Sequence, residues 1–276
     1  MSILRLAVTL FHVWGIPIRM HVSMLIFLPF VFFSLMDFGT IGVAFLLLGV
    51  IASILLHELG HCFVALRTGC NVREILLMPI GGVAQMEQIP RRPRDEFLMA
   101  IGGPVVSIVL AILGISLGIL LARLGLAPEG PDNVVFALGV INCGLVLFNM
   151  LPAFPMDGGR VLRALLSTRI GRLRATAISA KLGKIFAVGF GLYALFGGSV
   201  QSGQGIALLV IAFFIYRAAD YEYRIVQFQE TFQPSAYDFF WPSEVSRGAR
   251  TDSRDVVIGP PPYRKGPNDR TRIQPM

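Results

Sequence analysis

Charge is scarce in this sequence. Only 15% of its 276 residues are Asp, Glu, Lys or Arg, against 54% hydrophobic, and the mean hydropathy is +0.68. A soluble domain of this length carries more charge, so the composition excludes an ordinary soluble protein and fits a chain that crosses a membrane several times. Cysteine is scarce too. Cys62, Cys70 and Cys143 are odd in number and contain no C-x-x-C pair, which excludes a disulfide framework and leaves them as small buried apolar side chains. Basic residues exceed acidic ones, 24 to 17, but they fall in short clusters between apolar runs with no nucleic-acid motif among them. The excess therefore records membrane topology and not a nucleic-acid partner. No small-residue cleavage site follows the first apolar stretch, so that stretch reads as a retained span.

Long apolar runs are abundant. Six of them, about 22–36, 41–66, 97–122, 134–151, 178–196 and 205–219, predict an all-α polytopic membrane protein of about six transmembrane helices. Short connections alternate with longer basic ones, and Arg160, Arg163, Arg169, Arg172 and Arg174 crowd a single loop. The positive-inside rule then places both termini in the cytoplasm. Residues 75–86 are apolar but too short to cross and have basic residues on either side, so they are expected to dip in and return, with Gly81-Gly82 as a tight turn. The expected organisation is a transmembrane domain over 1–229, with a catalytic core at about 41–168, and a flexible Pro-rich cytoplasmic tail over 230–276. Within that tail, Pro260-Pro261-Pro262-Tyr263 is a weak match to a polyproline docking motif.

Chemistry concentrates at His57-Glu58-Leu59-Gly60-His61. On a helix, residues i and i+4 share a face, so His57 and His61 can offer two imidazole nitrogens to one metal with Glu58 beside it as a general base. No charged residue occurs in 41–56, which puts this half-site inside a membrane helix. From His57 to Arg67, at about 1.5 Å per residue, is roughly 15 Å of helix before the charged rim, so water has to be brought to the site. His12 and His21 lack a partner at helical spacing and read as interfacial imidazoles.

A catalytic zinc takes three protein ligands and keeps one position for water. Acidic residues are rare in the apolar part of the chain, and Asp157 lies where Pro152 and Pro155 end the fourth span and Gly158-Gly159 frees the backbone. Taken alone, Asp157 reads equally well as a helix cap. With H-E-x-x-H on a neighbouring apolar helix at similar depth, it reads as the third ligand to one Zn²⁺ per chain.

These residues resemble the site-2 protease family, the intramembrane zinc metalloproteases of peptidase family M50. The resemblance rests on His57 to His61 and on Asn149 to Gly159, similar to the pattern N-x-x-P-x-x-P-x-D-G. Gly81-Gly82 and Gly102-Gly103-Pro104 also fit, and the likeness covers about residues 15–219. It implies hydrolysis of peptide bonds within or near transmembrane segments, as in regulated intramembrane proteolysis. Asn149 would steady the substrate strand or the developing oxyanion, with Asn142 a weaker candidate, and the Gly81-Gly82 hairpin would offer an edge to an extended substrate. The implied partners are the lipid bilayer, single-span membrane proteins such as anti-sigma factors or membrane-tethered regulators, and a regulatory membrane partner. The implied location is the bacterial inner (cell) membrane. Two departures stand out: Ser107 occupies a place where relatives often carry Asn, leaving its role open, and neither a PDZ nor a CBS domain is evident. A membrane transporter or channel with a metal site is the alternative, but a pore has no need of Glu58; a silent scaffold would need none of these residues.

Overall fold

The computed structural model describes residues 7–35, 39–79, 81–86, 90, 92–197 and 204–232, and among these residues it has seven α-helices, one short 3-10 helix (Gly130–Asp132) and one small sheet. The helices are α1 (Val22–Ser34), α2 (Thr40–Arg67), α3 (Pro93–Arg123), α4 (Val134–Asn149), α5 (Asp157–Ile170), α6 (Arg172–Phe196) and α7 (Gln204–Phe232). Of these, α2, α3 and α6 are long and apolar enough to cross a membrane, while α1 and α4 are shorter apolar helices. At about 1.5 Å per residue, the 28 residues of α2 reach roughly 42 Å, more than the ~30 Å of a bilayer's hydrocarbon core. The protein is a mostly helical membrane protein.

The sheet corrects the all-α expectation. Its four strands, β1 (Ala7–Val13), β2 (Ile16–His21), β3 (Val72–Met78) and β4 (Gly81–Met86), lie side by side in that order. Strands β1 and β2 form an antiparallel hairpin, β2 runs parallel to β3 with Ile18 opposite Ile75, and β3 returns antiparallel into β4 with Leu77 opposite Gly82. Gly81 and Gly82, expected as a tight turn, are instead the first two residues of β4, paired with Met78 and Leu77 inside the sheet. The reason the strands escape detection is that Ile75-Leu76-Leu77-Met78 is a continuous apolar run, which periodicity cannot assign. Its β2 partner, moreover, comes from far away in sequence. Ile16, Ile18, Ile75 and Leu77 bury against Cys62 of α2, so the sheet packs on the helix that carries the H-E-x-x-H motif, and Cys62 is a small core side chain.

The basic stretch after Asp157 differs as well. It is a helix, α5, and its Arg163 is fully buried, so that residue does not serve as a solvated topology signal. The expected tail lies outside the described residues from 233 onward, and the 260–263 motif with it.

Helices α2 and α3 touch through glycine. A Cβ on Gly60 would stand 2.5 Å from the Gly102 carbonyl oxygen, and one on Gly102 would stand 2.6 Å from that of Gly60. Without a hydrophobic drive between helices in lipid, such small-residue contacts are what allow close packing. The approach sets how near α3 comes to the histidine face of α2. Gly102→Val is expected to force the helices apart and to cost about 1–3 kcal/mol, read as a lower midpoint of unfolding in detergent. Unchanged stability would remove the close approach as the cause.

Candidate active site

The two histidines of α2 face inward, His57 3% exposed and His61 7%. They share the buried face with Ser53 and Gly60, as the i, i+4 spacing requires. Helix α4 stops at Asn149, a segment containing Pro152 and Pro155 follows, and α5 begins at Asp157. That break returns the chain toward α2. Asp157 Oδ2 lies 3.1 Å from Nε2 of His57 and 3.1 Å from Nε2 of His61, and the two nitrogens are 3.2 Å apart. Asp157 does not cap its helix: the N-cap is Met156, with no side-chain cap bond.

Donors about 2.0–2.1 Å from a tetrahedral zinc lie about 3.3 Å from one another. The three donors here are already near that spacing, and two imidazoles plus one carboxylate are a donor set zinc takes while leaving a position open. The residues present fit the metal.

Both imidazoles are oriented by α3. Nδ1 of His61 donates to the Met99 carbonyl oxygen at 2.8 Å. Because a carbonyl only accepts, that proton sits on Nδ1 and leaves the Nε2 lone pair free for a metal. Nδ1 of His57 stands 2.9 Å from Ser107 Oγ, which can accept in the same way. Between them lies Gly103, where a Cβ would collide with Nε2 of His61 and come 2.7 Å from Nε2 of His57. Positions 99, 103 and 107 fall on one stripe of α3. Ser107, whose role the sequence left open, is fully buried against the site. The signal available in the sequence was its position, one helical turn after Gly103.

Glu58 opens onto a cavity of about 350 Å³ that also reaches His57, His61 and Asp157. Asn149, Gly81 and Gly82 line it, together with Phe214 and Tyr221 of α7. At Gly82 of β4 a Cβ would strike the Glu58 side chain, so the strand passes directly beside the carboxylate. Asn142 is placed elsewhere. Its Nδ2 donates to Ser53 Oγ of α2 at 2.9 Å, a buried helix-to-helix bond, and to the Leu138 carbonyl of its own helix at 2.8 Å. His21 N-caps α1, its Nδ1 accepting from Ser23 N at 3.1 Å, and His12 lies exposed on β1; neither belongs to the metal cluster.

Removing the hydroxyl behind His57 frees the ring without touching a donor atom. Ser107→Ala is expected to keep the fold and weaken zinc binding about ten- to hundredfold, measured by competition with a chelator. Wild-type affinity would show that the hydroxyl does not orient the ring.

Comparison with known proteins gives a consistent picture. The family model for peptidase family M50 matches residues 45–126 and 117–190. A zinc metalloprotease of Methanocaldococcus jannaschii is 38% identical over 241 residues, covering 87% of this chain and 67% of that protein. Stage IV sporulation protein FB of Bacillus subtilis is 26% identical over 179 residues, covering 64% of this chain and 58% of that protein. The solved structure of the site-2 protease from Methanocaldococcus jannaschii superposes with a TM-score of 0.60 at 35% identity, covering 79% of this chain and 95% of that one.

Proposed function

Since this chain belongs to peptidase family M50, we propose that it is an intramembrane zinc metalloendopeptidase in which His57, His61 and Asp157 hold one Zn²⁺ and Glu58 is the catalytic base. The observation that carries this reading is the convergence of two Nε2 atoms and one carboxylate oxygen within 3.2 Å, beside a second carboxylate that opens on a cavity. The transporter alternative gains no support, because the relatives are zinc metalloproteases.

When bound, zinc supplies Lewis acidity, polarising a peptide carbonyl and lowering the pKa of a water to about 7. Glu58 takes the proton from the attacking water and returns it to the leaving amide nitrogen. The Met99 carbonyl and Ser107 hold the imidazoles in one tautomer and orientation while this happens. Asn149, on the cavity wall, presents an amide that can donate to the substrate carbonyl as negative charge develops on its oxygen.

A helical substrate must unwind before its backbone can be attacked, because its amides are otherwise closed in i to i−4 bonds. Strand β4 ends the sheet on the side of Glu58, and its outer edge offers the hydrogen-bonding groups an extended segment needs. Gly81 and Gly82 let that segment run close to the carboxylate. The cavity's apolar residues suit side chains from a transmembrane segment, so the substrates in this reading are single-span membrane proteins, such as anti-sigma factors or membrane-tethered regulators, with a regulatory membrane partner controlling access. The finer topology belongs to the same proposal. It comprises six spans, a sheet hairpin that re-enters the bilayer, both termini in the cytoplasm of a bacterial inner membrane, a protease domain over 1–229 and a tail over 230–276.

Glu58→Gln preserves shape and removes the base. It is expected to retain zinc while cleavage of a model single-span substrate in detergent falls about 10²–10⁴-fold or more, and retained cleavage would end the assignment. Asn149→Ala is expected to lower kcat about 10²-fold at unchanged zinc content; an unaltered rate would remove Asn149 from the substrate's path.

A further inference from the structure

One group of charges next to the site has no part in the chemistry above. Arg163 of α5 is 0% exposed and Glu96, in the first turn of α3, is 2% exposed. Arg163 donates from Nε to Glu96 Oε1 at 2.5 Å, and its Nη2 joins the same oxygen. Its Nη1 stands 3.7 Å from Oε2 of Glu222 on α7, which Arg160 also approaches, Nη2 to Oε1 at 3.5 Å. Its Cζ lies over the ring of Phe154, 4.8 Å from the centroid, and Phe154 is fully buried in the segment between α4 and Asp157. One side chain therefore touches three elements. Burying a charge this deeply costs several kcal/mol unless it is well paired, and an apolar pair of the same volume often serves stability as well. Stability alone is a weak reason for an ion pair here.

Position gives a stronger one. Arg163 sits on the helix that begins with Asp157, and Glu96 starts the stripe of α3 that continues through Met99, Gly103 and Ser107, where both imidazoles are held. We infer that Arg163 is a positioning residue for the metal centre. It clamps α5 to α3 through Glu96 and presses on the ligand segment through Phe154, so that Asp157 is fixed against His57 and His61 before the metal arrives. The planar fork is what the role needs. Lysine would keep the charge but, as a single ammonium, could not approach Glu96, Glu222 and the Phe154 ring from three sides at once. This inference rests on the reading of His57, His61 and Asp157 as zinc ligands.

The test uses the full chain in detergent. Zinc affinity is measured by chelator competition, helicity by circular dichroism and metal-free stability by thermal unfolding, for wild type, Arg163→Lys and the apolar pair Glu96→Leu/Arg163→Met. The expected result is that both variants keep wild-type helicity without metal and bind zinc about ten- to hundredfold more weakly, the range seen when partners behind ligands are lost. Zinc affinity within twofold of wild type in either folded variant would overturn the inference. So would loss of fold in both variants with and without zinc, because it assigns the cluster to the fold and not to the metal centre. Absence of zinc from the wild type would overturn the ligand reading itself, and this inference with it, whereas zinc in the wild type with undiminished affinity in the variants defeats this inference alone.

Discussion

A charge or imidazole held away from water is stable only when its polar atoms find partners in the protein, and around this site a single helix supplies most of them. Along one face of α3, Glu96 meets Arg163, the Met99 carbonyl takes the proton of His61, Gly103 makes room for both rings and Ser107 stands behind His57. Its other face is apolar, with Val105, Ile108, Val109 and Ile112 all exposed, as a helix against lipid should be. The glycine contact with α2 brings the polar face to hydrogen-bonding distance. Were α3 one side chain farther from α2, the imidazoles would lose their orienting bonds and the metal donors their shared geometry.

The sequence was legible where chemistry demands particular residues at particular spacings. Two histidines at i and i+4 with glutamate between them have few other uses on an apolar helix, and the proline and glycine bracket around Asp157 marks a chain break that returns a carboxylate to the same depth. The structure brings Asp157 together with His57 and His61. Less legible was whatever depends on partners distant in sequence. The pairing of β2 with β3 joins Ile18 to Ile75, and nothing local in either segment announces it. Arg163 reads in sequence as one more loop arginine because its neighbours are also basic, while the carboxylates that pair with it, Glu96 and Glu222, lie on other helices. Ser107 is a similar case: serine is unremarkable in a membrane helix, and only the crossing of α3 over α2 turns it toward His57.

The sheet and the site are coupled through α2. Cys62, next in sequence to His61, is buried under Ile18 and Ile75, while one turn earlier Glu58 lies beside Gly82 on the outermost strand. The same helix therefore holds His57 and His61 on one face and anchors the sheet on another, since neighbouring helical positions point about 100° apart. An extended peptide laid on the edge of β4 would approach Glu58 from the strand side, with the histidine donors on the adjoining face. That arrangement answers the problem posed by a hydrolytic site in apolar surroundings. Water and an unwound backbone both need polar neighbours at that depth, and Glu58, Asn149 and the Gly81-Gly82 end of β4 all line one cavity, together with apolar residues of α7.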